Sequence, residues 1–277
     1  MAIRLAALDV DGTLLAPDNS ITPATKEAIR EAKAAGIEIV VCTGRAFVEV
    51  RDILRQLPEV RYLSCGTGAY ALDVWTMETL YECSMPEELG RQAYRAVAQA
   101  DCMVHFYTGL SVRHSRWCMD HFSDYMEEKM RPLMEKTHII EDDLDAYVEN
   151  SHDPVYKLYV TFPRKEEYDK AYNAVKDLPV FLTDGGWAID LEVMSRDTDK
   201  GVALKALASR LGSPRDGRQR QRLRDAPVRR DWRSDGKRER AGEKSGRRDR
   251  TQQPRRRRGM DAPARGERRS LRCRRES

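Results

Sequence analysis

No two of the six cysteines (Cys42, Cys65, Cys83, Cys102, Cys118 and Cys273) are spaced C-x-x-C. In a chain of 277 residues that argues against a disulfide-stapled miniprotein and points to a reducing, cytoplasmic setting. There is no run of 18 apolar residues, so no membrane-spanning helix is expected and no membrane partner either. The opening MAIRLAALDVDGT has an apolar stretch too short for a secretory h-region and turns acidic without a small-residue cleavage site. Large apolar residues are scarce at the other end. Between positions 214 and 277 only Leu223, Val228, Trp232, Met260 and Leu271 occur, with neither a helical nor a strand period, and disorder is expected there.

What that end has instead is charge. Residues 214–277 hold 25 Lys/Arg against 10 Asp/Glu, leaving 24 against 35 for residues 1–213. An acidic globular part with an Arg-rich tail is one way to build a nucleic-acid-binding protein. That reading is the alternative against which an enzyme must be weighed.

The first 213 residues alternate between strand and helix signals. Ile3–Val10 is a short apolar run ended by Asp-Gly. Ile21–Ala35 reads as a helix, with Thr22 as N-cap, Pro23 at the first helical position and Gly36 as its stop. A second apolar run, Ile37–Cys42, a helix over 47–57 and a third run, Tyr62–Cys65, continue the βαβ pattern of a parallel sheet, followed by a hairpin within Tyr70–Tyr81. From Cys83 onward a smaller α+β unit is expected. Its helices span 86–100 and 165–176, and its strands 102–107, 110–114, 155–162, 180–183 and 188–194. Asp199-Lys200-Gly201 then opens a last helix that Gly212 ends.

Three segments carry candidate chemistry. Asp9-Val10-Asp11-Gly12-Thr13 follows the first strand directly, and in an open parallel sheet the carboxyl ends of strands are where ligands bind. Two carboxylates so close need a cation between them or a proton on one. Asp9 suits a nucleophile that forms an aspartyl-phosphate, and Asp11 a general acid and base. A bare D-x-D-G also occurs in calcium loops and simple turns. Thr43-Gly44-Arg45, at the end of the second strand, presents a hydroxyl, a backbone amide and a guanidinium to an anion, or else is a helix cap with an exposed Arg. Lys200 at a helix start could neutralise phosphoryl oxygens, or be a solvated surface lysine.

In this order DVDGT, VVCTGR and DKG resemble the haloacid dehalogenase superfamily of phosphohydrolases. YLSCGTGAY and LEVMSRDTDKGVALKALASRLG are similar to segments of its Cof-like class, and the likeness runs over about residues 3–212. The resemblance implies an α/β fold, with a Rossmann-like parallel-sheet core at 1–83 and 187–212, a type IIB α+β cap at 84–186 and a basic tail at 213–277. It implies magnesium-dependent hydrolysis of small phosphorylated metabolites, such as sugar phosphates or phosphorylated cofactors. Asp9 would be nucleophile and magnesium ligand, and Asp11 the acid/base that also reaches the metal through its carbonyl. Thr43 and Lys200 would hold the transferring phosphoryl, with Gly12, Gly44, Arg45 and Thr67 lining phosphate and substrate. Thr67 departs from the class's usual Asn.

The superfamily's fourth motif, G-D-S-x-N-D, whose carboxylates complete the magnesium shell, is missing from the chain. Read one base out of phase, the codons of Gly217-Arg218-Gln219-Arg220-Gln221-Arg222 permit Gly-Asp-Ser-Gly-Asn-Asp. The same shift lets Asp235-Gly236-Lys237-Arg238 spell Met-Gly-Asn-Ala, like a later segment of the class. A frameshifted translation from about Ser213 onward is therefore expected, leaving the core incomplete. In the superfamily the strand bearing that motif lies beside the first strand. The chain as written is accordingly expected to fold only in part and to show little or no phosphatase activity.

Overall fold

The computed structural model describes residues 4–186 and 188–212. The expectations for the tail, including its disorder and its frameshift, lie outside the described residues.

Strand β1 (Leu5–Leu8) runs into a tight turn over Val10–Leu14, and helix α1 (Pro23–Ala34) follows. The Thr22 hydroxyl accepts from the Thr25 amide at 3.1 Å and Pro23 occupies the first turn, so α1 starts where its signals put it. Then come β2 (Glu38–Cys42), α2 (Phe47–Leu54), β3 (Tyr62–Cys65) and the hairpin of β4 (Tyr70–Asp73) and β5 (Glu78–Glu82). Asp73 shapes the hairpin turn, because its carboxylate accepts from the Trp75 and Thr76 amides and pairs with Arg61 at 2.6 Å. These strands form one sheet in the order β1-β2-β3-β4-β5. The first three are parallel, as the βαβ pattern requires, and the last two antiparallel.

The chain then builds a second sheet. Its elements are α3 (Glu87–Val97), β6 (Met103–Thr108), β7 (Ser111–Ser115), α4 (Arg116–Asp120), α5 (Arg131–Thr137), β8 (Ile139–Glu141), α6 (Leu144–Asn150), β9 (Val155–Thr161), α7 (Lys165–Val175), β10 (Val180–Thr183) and β11 (Asp190–Ser195). The strand order is β10-β11-β9-β6-β7-β8, antiparallel except for the β7–β8 pair. Val104, Phe106, Leu158, Val160, Leu191 and Val193 fill the space between this sheet and helices α3 and α7. One boundary moves. The boundary at 187 implied by the resemblance put Asp190–Ser195 with the core, whereas the strand pattern put 188–194 in the second unit; the strand hydrogen-bonds to β9 and β10 and belongs to the second sheet. It is buried along nearly its whole length, the charged Asp190 and Glu192 included, as an interior strand between β10 and β9.

Helix α8 (Lys200–Gly212) brings the chain back to the first sheet. Leu207 packs on Val40 and Tyr62, with Leu5, Leu80, Leu204 and Leu211 at the margin. Among the described residues β1 is an edge strand. It is entirely apolar, yet Leu5, Ala6 and Leu8 are only half-buried and Ala7 is exposed.

Candidate active site

Asp9 sits at the carboxyl end of β1. Its Oδ1 accepts from the Val10 amide at 2.8 Å, and its backbone carbonyl accepts from the Leu14 amide at 3.1 Å. The turn between them needs a left-handed residue, and Gly12 supplies it at φ 70° without a Cβ penalty. Asp9 and Asp11 therefore leave the sheet on one short, hydrogen-bonded loop.

Thr43 directly follows β2 and is fully buried. Its amide donates to the Ser64 carbonyl at 2.9 Å, its own carbonyl accepts from the Thr67 amide at 3.1 Å, and its Oγ1 accepts from the Arg45 amide at 3.1 Å. The loops after β2 and β3 are thus stitched together. Thr67 lies in the left-handed region at φ 62°, where a β-branched side chain is disfavoured and Asn is tolerated. That gives a local reason why the departure from Asn at this position matters. Thr67 Oγ1 donates to Glu192 Oε2 at 3.3 Å.

Lys200, 191 residues from Asp9 in the chain, places its Nζ 3.1 Å from Asp9 Oδ2. Asp199 caps α8 by accepting from the Val202 amide at 2.9 Å, which fixes Lys200 in the first turn. Gly68 allows the approach. A Cβ there would lie 2.5 Å from the Asp199 carbonyl, and its φ is +96°. Arg45 turns from the solution towards the loop and forks onto Asp11, with Nε 3.0 Å from Oδ2 and Nη2 2.6 Å from Oδ1. Burial works against the Arg45 charge, but the Asp11 hydrogen bonds and charge outweigh it and hold the guanidinium above its ordinary value.

The structure thus brings Asp9 to Lys200, Asp11 to Arg45, and Thr43 and Gly44 to Thr67. Two further charged residues belong to the arrangement and were not singled out by sequence. Lys157 of β9, 2% exposed, donates to the Gly44 carbonyl at 2.9 Å and to Glu192 Oε1 at 2.7 Å. The available signal was one charge inside each of two apolar strands, VYKLYV and LEVM. A buried charge in such a place requires a partner.

Magnesium requires a near-octahedral set of oxygen donors. Here each of the two carboxylates already faces a cation, Lys200 on Asp9 and Arg45 on Asp11. Among the described residues no third metal-binding side chain gathers with them. The described residues do not by themselves fit a magnesium site.

A sequence profile of haloacid dehalogenase-like hydrolases matches residues 6–217. YxeH of Bacillus subtilis, provisionally named a phosphatase, is 24% identical over 217 residues, 76% of each chain. The pyridoxal phosphate phosphatase YbhA of Escherichia coli is 31% identical over 127 residues, covering 42% of this chain and 47% of that one. The HMP-PP phosphatase of Yersinia pestis is 33% identical over 104 residues, 38% of each. Among solved structures, a haloacid dehalogenase-like hydrolase from B. subtilis shares the fold at a TM-score of 0.64 and 21% identity, covering 76% of this chain and 80% of that one. A subclass IIB sugar phosphatase superposes with a TM-score of 0.59 at 16% identity, over 76% of each chain. No helix among the described residues is long and apolar enough to cross a membrane.

Proposed function

This chain belongs to the haloacid dehalogenase-like hydrolases, and from that premise we propose that its site is built to hydrolyse small phosphate monoesters through a phosphorylated Asp9. The first sheet with α8 would be the catalytic core. The elements from α3 through β11 would form the cap that selects substrate. The observation that carries the reading is the Lys200–Asp9 pair, since two groups 191 residues apart meet at the carboxyl end of β1.

Asp9 Oδ attacks phosphorus in line with the ester oxygen, forming the Asp9–phosphate bond as the P–O bond to the alcohol breaks. Asp11 gives the leaving alkoxide its proton, and then takes one from the water that attacks phosphorus and frees Asp9. For this the Arg45 fork on Asp11 must open, which an incoming phosphate promotes by competing for the guanidinium. Thr43 Oγ1 and Lys200 Nζ would hold the transferring oxygens as charge spreads over them. Substrates named for relatives, pyridoxal phosphate, HMP-PP and sugar phosphates, define the class to screen. The superfamily's magnesium would need carboxylates additional to those described. We attribute their absence to a frame change near Ser213, a reading that rests on the alternate-frame codons of residues 217–222.

The test has two parts. The nucleotide sequence of the locus should spell Gly-Asp-Ser-x-Asn-Asp in the alternate frame across codons 217–222, and any other spelling ends the frame-change reading. A chain restored in that frame should release phosphate from a panel of esters in magnesium. If it turns over none of them, and Asp9→Asn changes nothing, the phosphatase reading fails.

A further inference from the structure

Three buried histidines stand outside the phosphate chemistry. His105 lies on β6, His114 on β7 and His138 immediately before β8. Those strands are neighbours, and in the β6–β7 register Phe106 faces Arg113, so His105 and His114 are the next pair across. A donor atom from each of the three lies within 4.8 Å of the others. The three residues are 1%, 0% and 8% exposed, and the His138 side chain not at all.

Their hydrogen bonds do not close as three neutral rings. His138 Nε2 is 3.2 Å from Glu49 Oε1 and carries its proton there, because a carboxylate can only accept. His138 Nδ1 is then a lone pair, facing His114 Nε2 at 2.5 Å. If His114 Nε2 donates to it, His114 Nδ1 is left as a bare acceptor beside the Val104 carbonyl, and His105 Nε2 has no partner at all. Moving one proton resolves this. With His114 protonated on Nδ1, towards Val104, the lone pairs of His105 Nε2, His114 Nε2 and His138 Nδ1 can converge. Burial shifts His105 and His114 towards the uncharged form, the form in which imidazole ligates a metal. Glu49 completes the pattern of a carboxylate holding a ligating histidine, and its other oxygen is fixed by the Ala46 amide at 2.6 Å and the Tyr107 hydroxyl at 3.2 Å. The nearby positive charge of Lys157, which would repel a cation, is met by Glu192 at 2.7 Å.

We propose that His105, His114 and His138 form a site for a divalent cation of the imidazole-preferring class, zinc above all, with Glu49 as the group that orients His138. Tetrahedral ligation with bonds of ~2.0–2.1 Å sets ligand nitrogens about 3.3 Å apart. The His114 and His138 rings must therefore part by under about 1 Å. Because Glu49 belongs to α2 and the histidines to the second sheet, the cation would tie the two sheets together. The site is independent of the phosphatase reading.

Metal-stripped full-length chain titrated with Co2+ should show the d–d absorption of a low-coordinate nitrogen site at one equivalent, and Zn2+ should displace it and raise Tm. Asp9→Asn should bind equally well, separating this site from the phosphate centre. His114→Gln should weaken binding by about a hundredfold or more, and Glu49→Gln by about ten- to a hundredfold. If the wild-type chain shows neither a band nor a Tm change, or if His114→Gln and Glu49→Gln both bind as wild type, there is no such site. The wild-type titration decides the matter even where a variant does not fold.

Discussion

The two sheets treat comparable apolar strands in opposite ways. β9 lies between β11 and β6, with Leu158 and Val160 fully buried, whereas β1, apolar at every position, has one neighbour among the described residues and an exposed Ala7. An apolar run says that a strand could be buried on both sides, but burial also requires something to lie there. The proposed chemistry would sit on the less covered side: Asp9 and Asp11 leave from the end of β1, while the second sheet contributes Lys157 and Glu192 from its interior.

The sharpest test of that division is Asp9→Asn in the chain with the restored frame. Removing the proposed nucleophile should lower kcat by roughly 10^4-fold or more while leaving Tm near its parent value, because Asp9 is exposed and Asn keeps an oxygen for the Val10 amide. Phosphate release and a melting curve on the same sample check it. A large Tm loss with modest kinetic change would mean that the β1 end is a structural region after all.

Lys157→Met reverses the expectation. It leaves Glu192 buried beside Thr67 without its cation, which costs about 3–5 kcal/mol for a broken buried pair. Denaturant unfolding measures this. The double change Lys157→Met with Glu192→Leu should recover much of the loss, as apolar replacement of both partners often does. Failure of that rescue would show that the bond to the Gly44 carbonyl, rather than the ion pair, is what matters.

The strands themselves can be compared directly. Leu158→Ala empties a fully buried position in β9 and should cost about 2–5 kcal/mol. Leu8→Ala in β1 removes a half-buried side chain and should cost about 1 kcal/mol or less. Equal losses in urea unfolding would mean that β1 is covered by residues outside those described.

Much of the local structure was legible because its causes are local. Thr22-Pro23 and Gly36 bracket α1, and Asp-Gly ends β1. The pairing of Asp9 with Lys200 was legible only as a pattern of separated motifs, since nothing near either residue encodes the other. The strand pattern placed β11 with the second unit, where it lies, whereas the boundary at 187 implied by the family likeness cut it off from that unit. β8 and α6, at 3 and 7 residues, are too short for a period to register. The fork of Arg45 on Asp11 joins the loops after β1 and β2, and the Lys157–Glu192 pair joins the neighbouring strands β9 and β11; residue spacing carries no information about either meeting. The same holds for the histidines, which strand register brings together from positions 105, 114 and 138.

The smallest expected effect lies where α2 and α5 touch at the surface. Lys136 Nζ reaches Asp52 Oδ2 at 2.6 Å, and Arg55 pairs with the other oxygen at 2.7 Å. The Lys136 hydrogen bond, with its charge and that of Arg55, outweighs desolvation and holds the Asp52 carboxyl below its ordinary 3.8. A depressed carboxylate stabilises the fold above its unfolded value and loses that contribution as pH falls through the folded one. Asp52→Asn should therefore change nothing in slope near neutrality and flatten the stability curve only below about pH 4. Asp52 is 41% exposed, so water and salt screen the pair, and after that discount the loss at neutral pH should be no more than about 0.5 kcal/mol. A loss several times larger, insensitive to salt, would mean that this contact is a true hinge between the two sheets.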